Sequence, residues 1–182
     1  MELRLREDIA LVADLGRSIV ALIPRLRAFG RSLARSQADA DDLVQAACER
    51  ALRSADSFVP GTRLDSWMFR IMRNLWIDDR RRDRPVVPLE VAEAGAETVG
   101  DDGRRSTEAK LSAQAVLAII DRLPAEQREV VVLVCVEDLP YREAADVLGV
   151  PIGTVMSRLA RARRAIAAAM HGEDARVTEA GP

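Results

Sequence analysis

The sequence predicts an all-α protein: two small helical domains joined by a flexible acidic linker, the second domain carrying a helix-turn-helix. Three observations predict this. First, apolar residues make up 48% of the 182 positions but aromatics only 3%. The core must therefore be Leu, Val, Ile and Ala, and these recur at helical spacing rather than in alternation. Second, the stretch opening at Pro85-Val-Val-Pro88 and containing Gly95, Gly100 and Gly103 has no helical period. Third, two amphipathic stretches meet at Gly149-Val150-Pro151, the punctuation of a tight inter-helix turn.

In the first domain, residues 1–84, Ile19 to Arg35 reads as a helix with Pro24 near its start or at a kink. Asp39 reads as the N-cap of a second helix, with Asp41 and Asp42 in its first turn. Leu43, Val44, Ala47, Cys48, Ala51 and Leu52 give that helix its buried side. Ser57 to Gly61 breaks it, and Thr62-x-x-Asp65 resembles a capping box opening a third helix to about Arg82. One side of this helix is Leu64, Trp67, Met68, Ile71 and Leu75. Arg70, Arg73, Asn74, Arg80, Arg81 and Arg84 project from the other, with no acidic row of their own helix facing them. Cations beside aromatics suit single-stranded nucleic acid, whose phosphates need charge and whose bases need a stacking partner.

Residues 85–106 form the expected linker. Residues 85–110 hold three bases against six acids, whereas residues 1–84 hold 16 Arg against 13 acids, so the tether is acidic and the first domain basic. As a coil, about 22 residues average about 25 Å end to end and reach at most roughly 75 Å.

The second domain, residues 107–171, begins with a helix through Leu111, Val116, Ile119, Ile120 and Leu123, stopped by Pro124. Val130 to Val136 has a strand-like composition, but Glu126-Gln-Arg-Glu is a helix opening and no partner strand lies nearby, so it reads as a buried helix. Pro140 opens a short helix buried through Ala144, Ala145, Val147 and Leu148, and Gly149 suits its left-handed end. The last helix runs from Ile152 to about Met170, roughly 28 Å. Ile152, Val155, Leu159, Ala162 and Ile166 form its inner stripe, and Gly153, Ser157, Ala160, Arg161 and Arg164 its outer face. Arg158, Arg161, Arg163 and Arg164 bring charge with no acid among them. A narrow outer face of small residues lets such a helix enter the major groove. Ser157 and Arg161 can then reach base edges or phosphates, while Arg158, Arg163 and Arg164 suit phosphates. Residues 172–182 are a tail without a recognisable task.

Two long stretches carry a specific resemblance. "LPYREAADVLGVPIGTVMSRLARARRAI" resembles the module of bacterial RNA polymerase sigma factors that reads the upstream (−35) promoter element. "ADADDLVQAACERALRSADSFVPGTRLDSWMFRIMRNLWIDDRRR" resembles their core-binding and promoter-melting module. The two-module layout is that of the extracytoplasmic-function (ECF) group. The resemblance implies docking of Asp42, Gln45 and Glu49 on the clamp coiled coil of the polymerase largest subunit, with further contact to the second-largest subunit. It implies a loop from Ser57 to Ser66 that receives a flipped base of the −10 element, and a surface made of Phe58, Arg63, Trp67, Arg70, Arg73 and Asn74 for the separated strand. It assigns −35 contacts to Thr154, Met156, Ser157, Arg158, Ala160, Arg161 and Arg164. It also implies an anti-sigma partner. The chain departs from the family at Ala46, where relatives carry Glu, and at Met156, where many carry Arg or Lys.

Other classes fit less well. A stand-alone helix-turn-helix regulator needs a dimer seam or ligand domain, and residues 1–84 signal neither. No Cys/His spacing suits a metal. The pairs Asp41-Asp42 and Asp78-Asp79 diverge by about 100° on a helix, which disfavours paired-carboxylate catalysis. His171, the one histidine, reads as exposed in the tail. Neither an enzymatic activity nor a cofactor is therefore expected. Cys48 and Cys135 each sit in apolar surroundings and read as small buried hydrophobes in a reducing compartment. The longest apolar run is too short to cross a bilayer and the N-terminus has no signal-peptide pattern, so no membrane insertion and a cytoplasmic location are expected.

Overall fold

The computed structural model describes residues 2–34, 36–82 and 116–179, and every regular element among them is helical. The expected linker, Arg84 and the final residues lie outside this description. In the N-terminal region α1 (Glu2–Leu33), α2 (Gln37–Arg53) and α3 (Leu64–Arg82) pack together, with a 3-10 turn (Ala55–Ser57) between the last two. In the C-terminal region α4 (residues 116–121) precedes α5 (Ala125–Val131), which runs into a π turn (Val132–Val136). Helices α6 (Tyr141–Leu148) and α7 (Ile152–Glu179) complete it.

Helix α1 extends well upstream of the expected Ile19 and passes through Pro24. Pro24 is exposed, so the carbonyl it leaves unpaired faces water, which makes the interruption tolerable. Leu15, Ile19, Leu26, Phe29 and Leu33 form the inner side of α1. Gly30 allows close approach to α2: a Cβ there would lie 3.2 Å from the Ala40 carbonyl oxygen.

The cap of α2 is Ser36, not Asp39. The Ser36 hydroxyl accepts the Asp39 N–H at 3.0 Å, which places Asp39 in the first turn, where its charge suits the helix dipole. Leu43, Val44, Ala47 and Ala51 are buried, but Leu52 is exposed and Cys48 half-buried. The expected Thr62 box does not form. Thr62 Oγ1 donates to Val59 O instead, and Asp65 accepts the Ser66 N–H next to it. In α3 the most deeply buried residues are Met68, Phe69 and Met72, with Trp67 beside them and Leu64, Ile71 and Leu75 half-buried. The buried arc is rotated from the expected stripe because α3 packs on α1 and α2 on one side and α6 on the other.

The apolar run after Ala125 is helical, as its flanks predict, but its end is a π turn. The inserted register carries Val136 and Cys135 to the surface and turns Glu137 inward, where it is 5% exposed. The expectation of a buried Cys135 thus fails. Asp138, the one non-glycine residue with positive φ among the described residues (53°), closes this corner. Gly149 adopts the left-handed conformation (φ 58°, ψ 38°) that ends α6. Val155, Leu159 and Ala162 of α7 are buried, whereas Ile152 is 48% exposed at the first turn, outside the expected inner stripe. Helix α7 continues to Glu179 because Ala165 to Met170 favours helix and no proline interrupts it before Glu179, Gly172 being tolerated within it. The side chain of His171 lies outside the description.

Candidate nucleic-acid interface

Helix α2 brings Asp42, Gln45 and Glu49 onto one exposed face. Gln45 Nε2 donates to Glu49 at 3.3 Å, and Arg53 donates to the other Glu49 oxygen at 3.2 Å. Beside Asp42 and Ala46 an open groove of about 580 Å³ runs between α2 and the end of α3. Asp39, Leu75, Trp76, Asp78 and Asp79 also line it, and Arg80 stacks over the Trp76 ring at 5.3 Å. Four acids, Asp39, Asp42, Asp78 and Asp79, line it against Arg80 and Arg82, which suits a basic protein partner better than phosphate.

The six residues expected at the −10 surface divide into three environments. Phe58 stacks against Trp67 with ring centroids 5.3 Å apart, and Trp67 is buried. Together they form the apolar floor beneath the 3-10 turn. Arg70 and Asn74 are exposed on α3, and no acid pairs with Arg70 among the described residues. Arg63 and Arg73 are already engaged. Arg63 pairs with Asp65 at 2.8 Å and Glu143 at 3.4 Å, and Arg73 with Glu129 at 3.2 Å.

These last contacts belong to a seam between the two helical regions. Arg25 of α1 binds Glu137 at 2.6 Å and Asp65 at 2.9 Å, and donates to the Glu137 carbonyl at 3.2 Å. Ser66 donates to Glu143 at 2.5 Å, and Arg128 donates to the Ser32 carbonyl at 2.9 Å, which satisfies an orphan acceptor in the last turn of α1. Burial would push the Asp65 carboxyl up. The hydrogen bonds from Arg63, the Ser66 N–H and Arg25 outweigh it and hold the group down to about 2. At Glu129 burial wins: its carboxyl is raised, and Arg73 beside it only partly offsets the loss of water.

Sequence reasoning missed this seam. Its glutamates sit on α5, on α6 and just after the π turn, far along the chain from the arginines they meet. The local signal was weak: Arg25 and Glu137 each border an apolar stretch but sit close to other charges, Arg27 and Asp138.

Helix α7 offers a second cationic face, and this one is open. Met156, Ser157, Ala160, Arg161 and Arg164 are all exposed. The Ser157 hydroxyl folds back onto the Thr154 carbonyl at 3.0 Å, and Arg161 rests on the Ser157 carbonyl at 3.3 Å. Thr154 is half-buried. Arg158 stands apart, its side chain 13% exposed and paired with Glu126 at 2.7 Å. Here it ties α7 to α5, and it can meet a phosphate only at the edge of the face. Among the described residues no cluster of His, Cys, Asp and Glu could hold a metal, and no helix is long and apolar enough to cross a membrane.

Comparison with known proteins matches residues 19–85 to the sigma-70 region 2 family and residues 113–166 to sigma-70 region 4. The chain is 39% identical over 158 residues to the ECF RNA polymerase sigma factor EcfG of Rhodopseudomonas palustris, covering 86% of this chain and 85% of that one. It is 37% identical over 145 residues to the ECF sigma factor SigM of Mycobacterium tuberculosis, covering 79% and 70%. Among solved structures, the sigma factor RpoE bound to the anti-sigma factor NepR from Bartonella quintana aligns with a TM-score of 0.66 at 30% identity, covering 87% of this chain and 97% of that one. CnrH in complex with the cytosolic domain of CnrY aligns with a TM-score of 0.60 at 25% identity, covering 91% and 97%.

Proposed function

The chain belongs to the ECF group of sigma-70-type RNA polymerase sigma factors, which direct promoter-specific initiation of transcription, and from that premise we propose how its surfaces divide the work. Residues 1–84 dock on core polymerase and melt the −10 element, 85–106 link, 107–171 read the −35 element, and 172–182 are a tail. Asp42, Gln45 and Glu49 meet the clamp coiled coil of the largest subunit, while other surfaces contact the second-largest. The acidic exposed face of α2 supports this. Ala46 leaves one carboxylate fewer there, so the charged part of that contact is smaller than in relatives with Glu.

At the −10 element, the base leaves the stack and its partner strand at a cost of a few kcal/mol. Phe58 and Trp67 provide an apolar floor near the loop, and Arg63, Arg70, Arg73 and Asn74 hold the displaced strand by phosphate contact and stacking. No proton transfer or bond cleavage by the protein is required, and no cofactor enters. At the −35 element, Ser157, Ala160 and Arg161 face the bases, with Thr154, Met156, Arg158 and Arg164 flanking. The observation that carries this reading is the open outer face of Met156, Ser157, Ala160, Arg161 and Arg164 on α7, with no acid among them, soon after the left-handed Gly149 turn. We further propose a cytoplasmic protein held in check by an anti-sigma factor, since the solved relatives RpoE and CnrH are each bound to such an inhibitor or partner domain.

The test is sequencing of transcripts made in vitro by core polymerase with this protein. Starts downstream of one shared pair of −35 and −10 motifs support the reading. Starts no different from those of core alone contradict it, as would specific control of transcription that needs no contact with core.

A further inference from the structure

We propose that Arg158 is a positioning residue of the −35 reader rather than a phosphate contact: two glutamates of α5, Glu126 and Glu129, hold its guanidinium inward, and through it they fix the seat of α7 from which Ser157 and Arg161 meet the bases. The inference rests on the reading of α7 as the −35 helix and deepens it. The buried side of α7 centres on Val155, Leu159 and Ala162. At about 100° per residue, Arg158 lies about 70° from that centre and about 110° from the middle of the outer face. Its side chain is accordingly 13% exposed, whereas Ser157, Arg161 and Arg164 are open. A guanidinium so placed already has its anions. Glu126 stands 2.7 Å from it. One turn along α5 lies Glu129, whose carboxyl burial raises, against the opposing charges of Arg73 and, after it, Arg158. Arg73 belongs to α3 and to the surface read as holding the −10 strand. Once it serves that strand, Arg158 is the cation that remains beside Glu129 among the described residues. Sending Arg158 out to a phosphate would then leave a buried carboxylate unpaired, which is costly. Glu126 needs the pair for a different reason. It is exposed, and a free carboxylate beside a helix that reads a polyanion repels its ligand. Paired with Arg158 it is neutralised and ties α7 to α5 beside the apolar contacts. It also relieves repulsion between Arg158 and Arg161, three residues apart on one helix, so that Arg161 keeps its aim.

The test uses holoenzyme assembled from core polymerase and the full chain, either wild type or carrying Arg158→Gln or Glu126→Gln. Fluorescence anisotropy at a series of salt concentrations measures binding to two duplexes of a promoter taken from the mapped transcripts, one with its −35 element intact and one with it scrambled. The ratio of the two affinities is the preference. Partial misfolding lowers both affinities alike and leaves the ratio unchanged, so the ratio reports how the reader is seated. Arg158→Gln is expected to cut the preference about tenfold and Glu126→Gln about threefold, each with the wild-type slope of log affinity against log salt. A wild-type preference in either variant overturns the proposal and leaves the −35 reading in place. So does a slope reduced by about one phosphate contact in Arg158→Gln, the mark of a direct backbone contact. Should Arg158→Gln not fold, Glu126→Gln, changed at an exposed side chain, decides by the same two readings. A wild-type holoenzyme without any preference would reject the −35 reading itself, and this proposal with it.

Discussion

Asp65 shows how much one buried carboxylate can carry. It is 7% exposed and receives Arg25, Arg63 and the Ser66 N–H. Its folded pKa is about 2, against 3.8 for the free group. A depressed acid stabilises the fold above its unfolded pKa, and this contribution fades as pH falls from about 4 toward 2. The shift corresponds to about 2 kcal/mol at neutral pH. Glu129 acts in the opposite sense: its carboxyl is raised by burial, so its protonation relieves a cost. Asp65→Asn is expected to lower stability by about 2 kcal/mol at pH 7 and to flatten the loss between pH 4 and 2. Urea unfolding at several pH values checks both, and an unchanged acid slope would show that Asp65 is not the group responsible. Asp65 also marks a limit of local reading. Its spacing from Thr62 suggested a cap, whereas two arginines set its actual role, one of them 40 residues away in sequence.

At the scale of the element, periodicity identified α2, α3, α6 and α7 because each buries one side against its neighbours and needs a regular stripe to do so. Boundaries and arcs were harder to read. Pro24 suggested a helix start, but a proline on the wet side of a helix breaks little. The π turn was invisible, since its single-residue insertion changes which side chains face inward without changing composition. Gly149, by contrast, was legible from its neighbours Leu148 and Pro151. No atom lies within 4 Å of where its Cβ would be, so substitution there tests backbone conformation alone. Gly149→Ala is expected to cost about 1 kcal/mol in chemical denaturation, and Gly149→Asn less, because Asn tolerates the left-handed region. Equal costs would contradict that account of the turn. On α7, exposed Met156 stands among cations. Met156→Arg is expected to tighten promoter binding by the holoenzyme and to steepen its salt dependence by about one phosphate contact. Arg161→Ala should weaken it by about 1–3 kcal/mol and relax preference at one −35 base. A uniform loss across sequences would instead make Arg161 a phosphate contact.

For the whole molecule, the two arginine-bearing surfaces were readable in the sequence, as was the order of the modules. What covers one of them was not. The chain carries formal net charge −2, and affinity for DNA rests on neutralised phosphates. Its acids are placed so that the surface of α3 meets glutamates of the other region while α7 stays open. The free protein is therefore expected to bind promoter DNA poorly in gel-shift assays and tightly with core polymerase. Once polymerase fixes both modules at promoter spacing, the second contact becomes intramolecular. Tight specific binding by the free protein would contradict this. The most direct measurement is energy transfer between dyes on the two regions, at Asp56→Cys and Asp146→Cys with Cys48→Ala and Cys135→Ser, before and after core polymerase is added. Efficient transfer in the free chain that falls on binding is the predicted result. Transfer that is equally efficient in the holoenzyme would mean that the regions never part, and that the arginines of the seam do not hold the promoter strand.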